Sequence, residues 1–192
     1  METFERLDGY YSGCLLVATP NMMDHRFRES VIFMFSHSPE GAMGIIINKP
    51  ILNLKLSEFI KQFKINDEKE FDTGEIFYGG PVEVGRGFIL HSSDYAEADS
   101  TITINKDLNL TSTVSVLEKL GAETGPKDFL IALGYAGWSA GQLEKEIEQH
   151  SWLVSNASSD LVFNPNVSQC WQSALNKIGI KQSNFTLFGG SV

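Results

Sequence analysis

The strongest constraint on the fold is a set of short, β-branched apolar runs in the first quarter of the chain. Cys14–Ala18, Ser30–Phe35 and Gly44–Asn48 are each rich in Val, Ile, Leu or Phe, and none carries a helical stripe. Runs of this length bounded by turn residues read as strands. A loop around Pro20 separates the first two. Between the second and third, His37-Ser-Pro-Glu-Gly41 places Pro39 and Gly41 to reverse the chain, which predicts a hairpin. The near-continuous apolar character of Gly44–Asn48 predicts burial on both faces, with Pro50 ending the strand.

Further along, Leu56, Phe59, Ile60 and Phe63 fall on one stripe of a short helix. Asn66–Glu75 is acidic and reads as a solvated loop. Ile76–Tyr78 and Gly87–His91 read as strands around the Gly79-Gly80-Pro81 and Gly85-Arg86-Gly87 breaks. Thr101–Ile104 alternates like a half-buried strand. Val114, Leu117 and Gly121 suggest a helix with a glycine stop. Asp128–Leu133 is a strongly apolar strand, and Ala140–Gln149 a helix with Ser139 and Gln142 at capping-box spacing. Trp152–Val154 and Leu161–Phe163 read as short strands. Val167, Cys170, Trp171, Ala174, Leu175 and Ile178 make the clearest helical stripe, closed by Gly179. Strand-rich first and mixed afterwards, the order suggests α+β rather than regular βαβ winding.

At about 150 residues per domain, 192 residues make one domain spanning 1–192. The formal net charge is −9, spread along both halves with no basic stretch. A sequence-independent grip on DNA or on an anionic membrane needs clustered cations, so the composition weighs against both. The N-terminus is polar and acidic, unlike a signal peptide, and no apolar run approaches the ~20 residues that span a bilayer. The expected compartment is the cytoplasm. The sequons at Asn109, Asn156, Asn166 and Asn184 are then chance matches. Cys14 and Cys170 fall at apolar strand and helix positions, as reduced core residues do. His25, His37, His91 and His150 lack metal-ligand spacing, so no metal or cofactor is expected, and each reads as a surface or satisfied polar residue. Glu144 and Glu148 share one helix face and read as solvated.

Gly137-Trp138-Ser139-Ala140-Gly141 matches G-x-S-x-G between an apolar strand and a helix, the setting of a nucleophile elbow. That makes Ser139 the candidate nucleophile of an ester or phosphoester hydrolase. The histidine and aspartate that follow it, His150 and Asp160, stand in the wrong chain order for that hydrolase fold. Partners upstream (Asp24, His25, His37, His91, Asp94) stay open because triads recur in several chain orders. The plainer reading has Ser139 capping the helix while glycines allow close packing. Gly134, Gly137 and Gly141 also offer backbone N–H groups to an anion, without nucleotide-motif spacing. Two loops, Pro20–Ser30 and Asn48–Pro50, carry more polar and special residues than packing needs. Together with Gly79–Arg86 they are expected to line one groove.

Taken together, Gly13–Pro20, Asp24, Phe27, Ser30-Val31-Ile32, Gly41–Gly44 and Asn48-Lys49-Pro50 resemble the N-terminal signature of the YqgE/AlgH family of bacterial proteins. Gly79-Gly80-Pro81-Val82, Arg86–His91, Gly134–Trp138, Gly141–Glu144, Glu146-Ile147 and Trp152-Leu153 continue the match over essentially the whole chain. The resemblance implies a mixed, bifurcated β-sheet curled into a pseudo-barrel with helices packed outside. It carries no established catalytic set, and the position of Ser139 is not always serine in the family pattern. Some members bear a transcriptional-regulator label.

The functional expectation is a regulatory protein that binds a small molecule or a protein partner without touching DNA. The candidate ligand-binding residues are Asp24, Phe27, Ser30, Asn48, Lys49, Pro50, Gly79, Gly80, Pro81, Arg86, Gly134, Gly137, Trp138, Gln142 and Glu144. The alternatives are the Ser139 hydrolase and a structural or homo-oligomeric module that uses some of the 13 Phe, 5 Tyr and 3 Trp at an interface.

Overall fold

The computed structural model describes residues 10–63, 65, 74–120, 122, 124–164 and 166–180. In chain order the strands and helices are β1 (Cys14–Ala18), β2 (Val31–Ser38), β3 (Gly41–Ile46), β4 (Pro50–Lys55), α1 (Leu56–Lys61), β5 (Glu75–Tyr78), β6 (Val82–Ser92), β7 (Thr101–Thr103), β8 (Leu108–Thr111), β9 (Phe129–Ser139), α2 (Gln142–Glu148), β10 (Trp152–Asn156), α3 (Ser159–Val162) and α4 (Val167–Ile178). The strands form one sheet, ordered β10-β1-β2-β3-β9-β6-β8-β7, with β4 and β5 branching from it.

The branch point is β9. Its C-terminal half pairs with β3 (Gly44↔Ala136 to Gly41↔Ser139), and its N-terminal half pairs in parallel with β5 (Ile76↔Ile131 to Tyr78↔Leu133). Strand β6 runs antiparallel along β9, pairing at Val82↔Tyr135 and again from Gly87↔Leu133. The sheet is thus mixed and bifurcated, as expected. Gly79 sits in the fork, accepting from Ile46 N–H and donating to Leu133 O, each at 2.8 Å. A Cβ on Gly79 would stand 2.2 Å from the Gly134 carbonyl oxygen. The fork closes only where side chains are absent.

Gly134 is the pivot of β9. Its φ is +75°, and it interrupts the alternation of side chains. Before it, Leu130 and Ala132 face the large core with Val17, Phe33, Leu90 and Leu175; after it, Ala136 and Trp138 face a second core with Leu16, Ile32, Leu143 and Trp152. A one-residue slip moves every later side chain to the opposite face. The large core is closed by α3 and α4, the second by α2, and a third, around Ile76, Ile89 and Ile131, by α1. Both faces of β1 and of the inner part of β2 are therefore buried, which accounts for their unbroken apolar runs.

Several local expectations are corrected. Pro50 opens β4 instead of ending a strand, a position where its missing N–H costs no ladder bond. Leu161 lies in α3 and not in a strand, burying Leu161 and Val162 together. The helix read from Val114 and Leu117 is only a 3-10 turn, Ser115–Glu118; its Thr/Ser-rich sequence favours helix weakly. Helix α2 starts at Gln142, capped by Gly141 at φ +70° and not by Ser139. Half of the capping box survives: Ser139 N–H donates to Gln142 Oε1 at 3.0 Å. Gly121, residues 66–73 of the acidic stretch and the Asn184 sequon lie outside the described residues.

Candidate functional site

The β1–β2 loop folds across the second core and is held by its own chemistry. Arg26 donates from its backbone N–H and Nε to Asp24 Oδ1, both at 3.0 Å, and from Nη2 to Oδ2 at 2.6 Å. That guanidinium holds the Asp24 carboxyl below the usual carboxylate range. From beneath, Asn48 accepts Val31 N–H on Oδ1 and donates from Nδ2 to the Glu29 carbonyl, each at 2.8 Å. Glu29 needs that brace, since its φ is +57°. Lys49 Nζ donates to the Arg26 carbonyl at 2.8 Å. Burial pushes the Lys49 amine below its ordinary pKa, opposed by Glu29 and Asp24.

The loop forms one wall of a cleft of about 630 Å³ whose other sides are β9, α2 and the start of β10. Its floor is a hydrogen-bonded aromatic pair. Trp138 Nε1–H and Trp152 Nε1–H both donate to Glu146 Oε2, at 2.9 and 2.8 Å, and Gln142 Nε2 donates to Glu146 Oε1 at 2.8 Å. The two indoles meet edge to face with centroids 6.1 Å apart, and Phe27 packs edge-on against Trp152 at 5.7 Å. The Arg26 guanidinium lies 5.6 Å from the centre of the Phe27 ring. Trp138 reaches this floor because of the slip at Gly134.

The residues singled out from sequence divide into groups. Asp24, Phe27, Pro81, Gly137, Trp138 and Gln142 line the cleft. Asn48 and Lys49 brace its loop from below, while Asn48 and Pro50 line a different cavity of about 910 Å³ against β5 and the α3–α4 connection, bordered by Gly74 next to residues outside those described. The single groove expected from Pro20–Ser30, Asn48–Pro50 and Gly79–Arg86 is therefore two separate hollows. Gly79, Gly80 and Gly134 occupy the sheet fork, where close backbone approach accounts for them. Arg86 pairs with Glu83 at 3.2 Å and lies over Phe88, outside the cleft. Ser30 is fully buried, and its hydroxyl lacks a partner among the described residues.

Glu144, whose side chain is 43% exposed, is also paired. Its Oε1 accepts from His37 Nε2–H at 2.9 Å, while His37 Nδ1 accepts the Tyr11 backbone N–H at 3.0 Å. Tyr11 stacks on the same imidazole, with centroids 5.3 Å apart. Both ring nitrogens of His37 are thus engaged, leaving neither directed at Ser139. Ser139 itself ends β9, paired with Gly41 and separated from α2 only by Ala140 and Gly141. His91 is likewise enclosed: Nδ1–H donates to the Ser92 carbonyl and Nε2 accepts from Thr111 Oγ1, each at 2.9 Å. Thr111 in turn accepts from Thr101 Oγ1 at 2.8 Å. Burial lowers the pKa of His91 and keeps it neutral.

Arg26, Glu146 and Trp152 were not singled out as site residues, although Trp152 and Glu146 belong to the quoted motifs. The available signal was the Gln142-to-Glu146 spacing, which puts both side chains on one helix face.

The comparisons with known proteins agree with this architecture. The family described as AlgH-like (DUF179) matches residues 15–183. A UPF0301 protein of Bradyrhizobium sp. (strain BTAi1) is 45% identical over 179 residues, covering 90% of this chain and 83% of its relative. Another, from Methylobacterium sp. (strain 4-46), is 43% identical over 189 residues, covering 95% and 90%. The solution structure of the AlgH protein from Pseudomonas aeruginosa is similar at 34% identity and a TM-score of 0.77, covering 98% of this chain and 99% of that one. Protein DIP2367 from Corynebacterium diphtheriae shares the fold at 20% identity and a TM-score of 0.74, covering 100% and 95%. Fold, motif series and sequence identity together establish that this chain belongs to the AlgH-like family.

Proposed function

We propose that this protein is a cytoplasmic regulatory protein that binds a small molecule or a protein partner through the Trp138–Trp152 cleft, without touching DNA. The observation that carries the reading is the single carboxylate of Glu146 accepting both indole N–H groups. It fixes an aromatic floor before any ligand arrives, so binding orders little that was not already ordered. The cleft, at about 630 Å³, is within the usual range for small-molecule sites. The acidic sequence supports a role that leaves DNA to another protein. Among the described residues no helix is long and apolar enough to cross a membrane.

The hydrolase reading fares less well on geometry, because a serine nucleophile needs a base within reach and His37 is committed to Glu144 and Tyr11. Equal turnover of chromogenic esters by the wild type and Ser139→Ala agrees with the binding reading. A loss confined to Ser139→Ala contradicts it.

The direct test adds a small-molecule extract of bacterial cytosol to ¹⁵N-labelled protein and follows backbone and indole N–H shifts. Shifts clustered on Phe27, Gly137, Trp138, Gln142 and Trp152 are expected. Shifts confined to other surfaces contradict the reading, as does tight binding of duplex DNA at about 0.15 M salt.

A further inference from the structure

We infer that the cleft receives an extended segment of a partner protein, which adds a strand to the open edge of β9 at Gly137. The inference rests on the cleft reading above and adds the class of partner and the way it is held. Past Tyr135, β9 keeps one neighbour. Ala136–Ser139 pair with β3 on one side; on the other, β6 pairs at Val82↔Tyr135, and no described strand stands opposite the residues that follow. Pro81, just ahead of β6, has no N–H with which to carry that ladder further.

The backbone of Gly137 faces this free edge. In an antiparallel pair, the N–H and C=O groups of every second residue point to the same side. Ser139 N–H turns away from β3 to Gln142 Oε1 at 3.0 Å, so Gly137, two residues earlier, points the same way. Gly137 is exposed, and among the described residues no turn or loop backbone group bonds to it. The fold does not demand glycine at this position. Its φ is not positive, and the nearest neighbours of an added Cβ would be side chains, the Tyr135 ring at 3.3 Å and Val82 Cγ2 at 3.9 Å. A strand glycine of this kind marks the close approach of another backbone.

Two hollows flank the edge. The cleft of about 630 Å³ and a second hollow of about 390 Å³, lined by Met43, Tyr135 and Ser139, share Val82, Gly137 and Trp138 in their walls. Successive side chains of an added strand point to opposite faces, so neighbouring residues enter different hollows. Met23 in the cleft is 90% exposed and Met43 in the second hollow 38% exposed; neither belongs to a core, and both offer adaptable apolar contact. Main-chain bonds then hold the segment while the paired hollows select its side chains. The net charge of −9 favours a segment with basic flanks.

The test titrates ¹⁵N-labelled protein with acetyl-Lys-Thr-Val-Thr-Lys-amide and with the same peptide N-methylated at its three central residues. The second peptide keeps the charges and side chains and loses the backbone donors. The first is expected to shift the Gly137 and Ser139 amides saturably, and the second to bind about tenfold more weakly. Met43→Ser is expected to weaken the first peptide about threefold through lost apolar contact. Equal affinity of the two peptides overturns the inference, as does the absence of binding by the first. Gly137 shifts that follow protein concentration with no peptide present assign the edge to a second copy of this chain and overturn the partner assignment. Failure of the peptides while cytosolic small molecules still move the Trp138 and Trp152 indole N–H groups overturns the inference alone. Failure of both counts against the cleft reading as well.

Discussion

Trp138 and Trp152 share one acceptor: both indole N–H groups end on Glu146 Oε2, at 2.9 and 2.8 Å, with the rings edge to face. They come from β9 and β10, at opposite ends of the run β10-β1-β2-β3-β9, so one side chain of α2 ties together distant parts of the sheet. Leaving a buried donor unpaired costs about 1–3 kcal/mol. Glu146→Ala is expected to lower unfolding free energy by roughly that amount for each indole. Glu146→Gln, which retains one carbonyl oxygen, should lose less. Urea unfolding of the three proteins gives the order.

Gly134 and Gly141 both have positive φ, +75° and +70°, but in different surroundings. A Cβ at Gly134 would lie 2.5 Å from the Gly80 carbonyl oxygen, whereas nothing stands within 4 Å of one at Gly141. Gly141→Ala should cost about 1–2 kcal/mol from backbone conformation alone. Gly134→Ala should cost at least ~2 kcal/mol more from the enforced clash. Denaturant midpoints that coincide for the two variants would remove Gly134 as the pivot of the sheet fork.

His91 gives a pH dependence whose sign is fixed by its environment. Burial lowers its folded pKa, so the unfolded chain binds the proton more readily. Stability from this group is present above the unfolded histidine pKa of about 6.5 and is lost as pH falls below it. Asp24, Glu40, Asp94 and Glu97, held below their ordinary values, act in the separate, more acidic carboxylate range. Unfolding free energy measured from pH 8 to pH 5 should fall for the wild type. For His91→Gln it should fall less over the same interval, and an identical slope would show that His91 is not the group responsible.

Lys49 reaches the β1–β2 loop through one bond, to the Arg26 carbonyl. Lys49→Met should therefore change global stability by less than about 1.5 kcal/mol while speeding amide exchange in residues 21–30. Asn48→Ala removes two bonds, to Val31 and Glu29, and should loosen the same segment further. Exchange that rises equally across β1 and β2 would mean that the brace is not local.

Legibility in sequence followed the range of the interactions. Cys14–Ala18 is legible to the residue because both of its faces are buried and the apolar run is unbroken. The α4 stripe and its Gly179 stop were likewise visible, since one face packs on the core and Gly179 takes φ +88°. The apolar run of β9 ends at Leu133, where Gly134-Tyr-Ala-Gly resembles a loop; the strand continues to Ser139 because the fork needs a glycine there. Strand β8 lacks an unbroken apolar run because Leu108-Asn-Leu-Thr places Asn109 and Thr111 at buried positions, where Asn109 Nδ2 donates to the Tyr95 carbonyl and Thr111 Oγ1 pairs with His91. In the site, Asp24, Phe27, Pro81, Trp138 and Gln142 stood out and do converge. Glu144 and Glu146 lie on different sides of one short helix, and only tertiary packing assigns the first to His37 and the second to the indoles.

The central claim is that the Trp138–Trp152 cleft, and not the larger hollow by Asn48 and Pro50, receives the ligand. The most direct measurement is the pair of indole N–H resonances of Trp138 and Trp152 during titration with cytosolic small molecules. Both are predicted to shift together and to saturate, with residues around Phe77 and Val167 unmoved. Saturable shifts at Phe77 and Val167 with the two indole resonances unchanged would contradict the account.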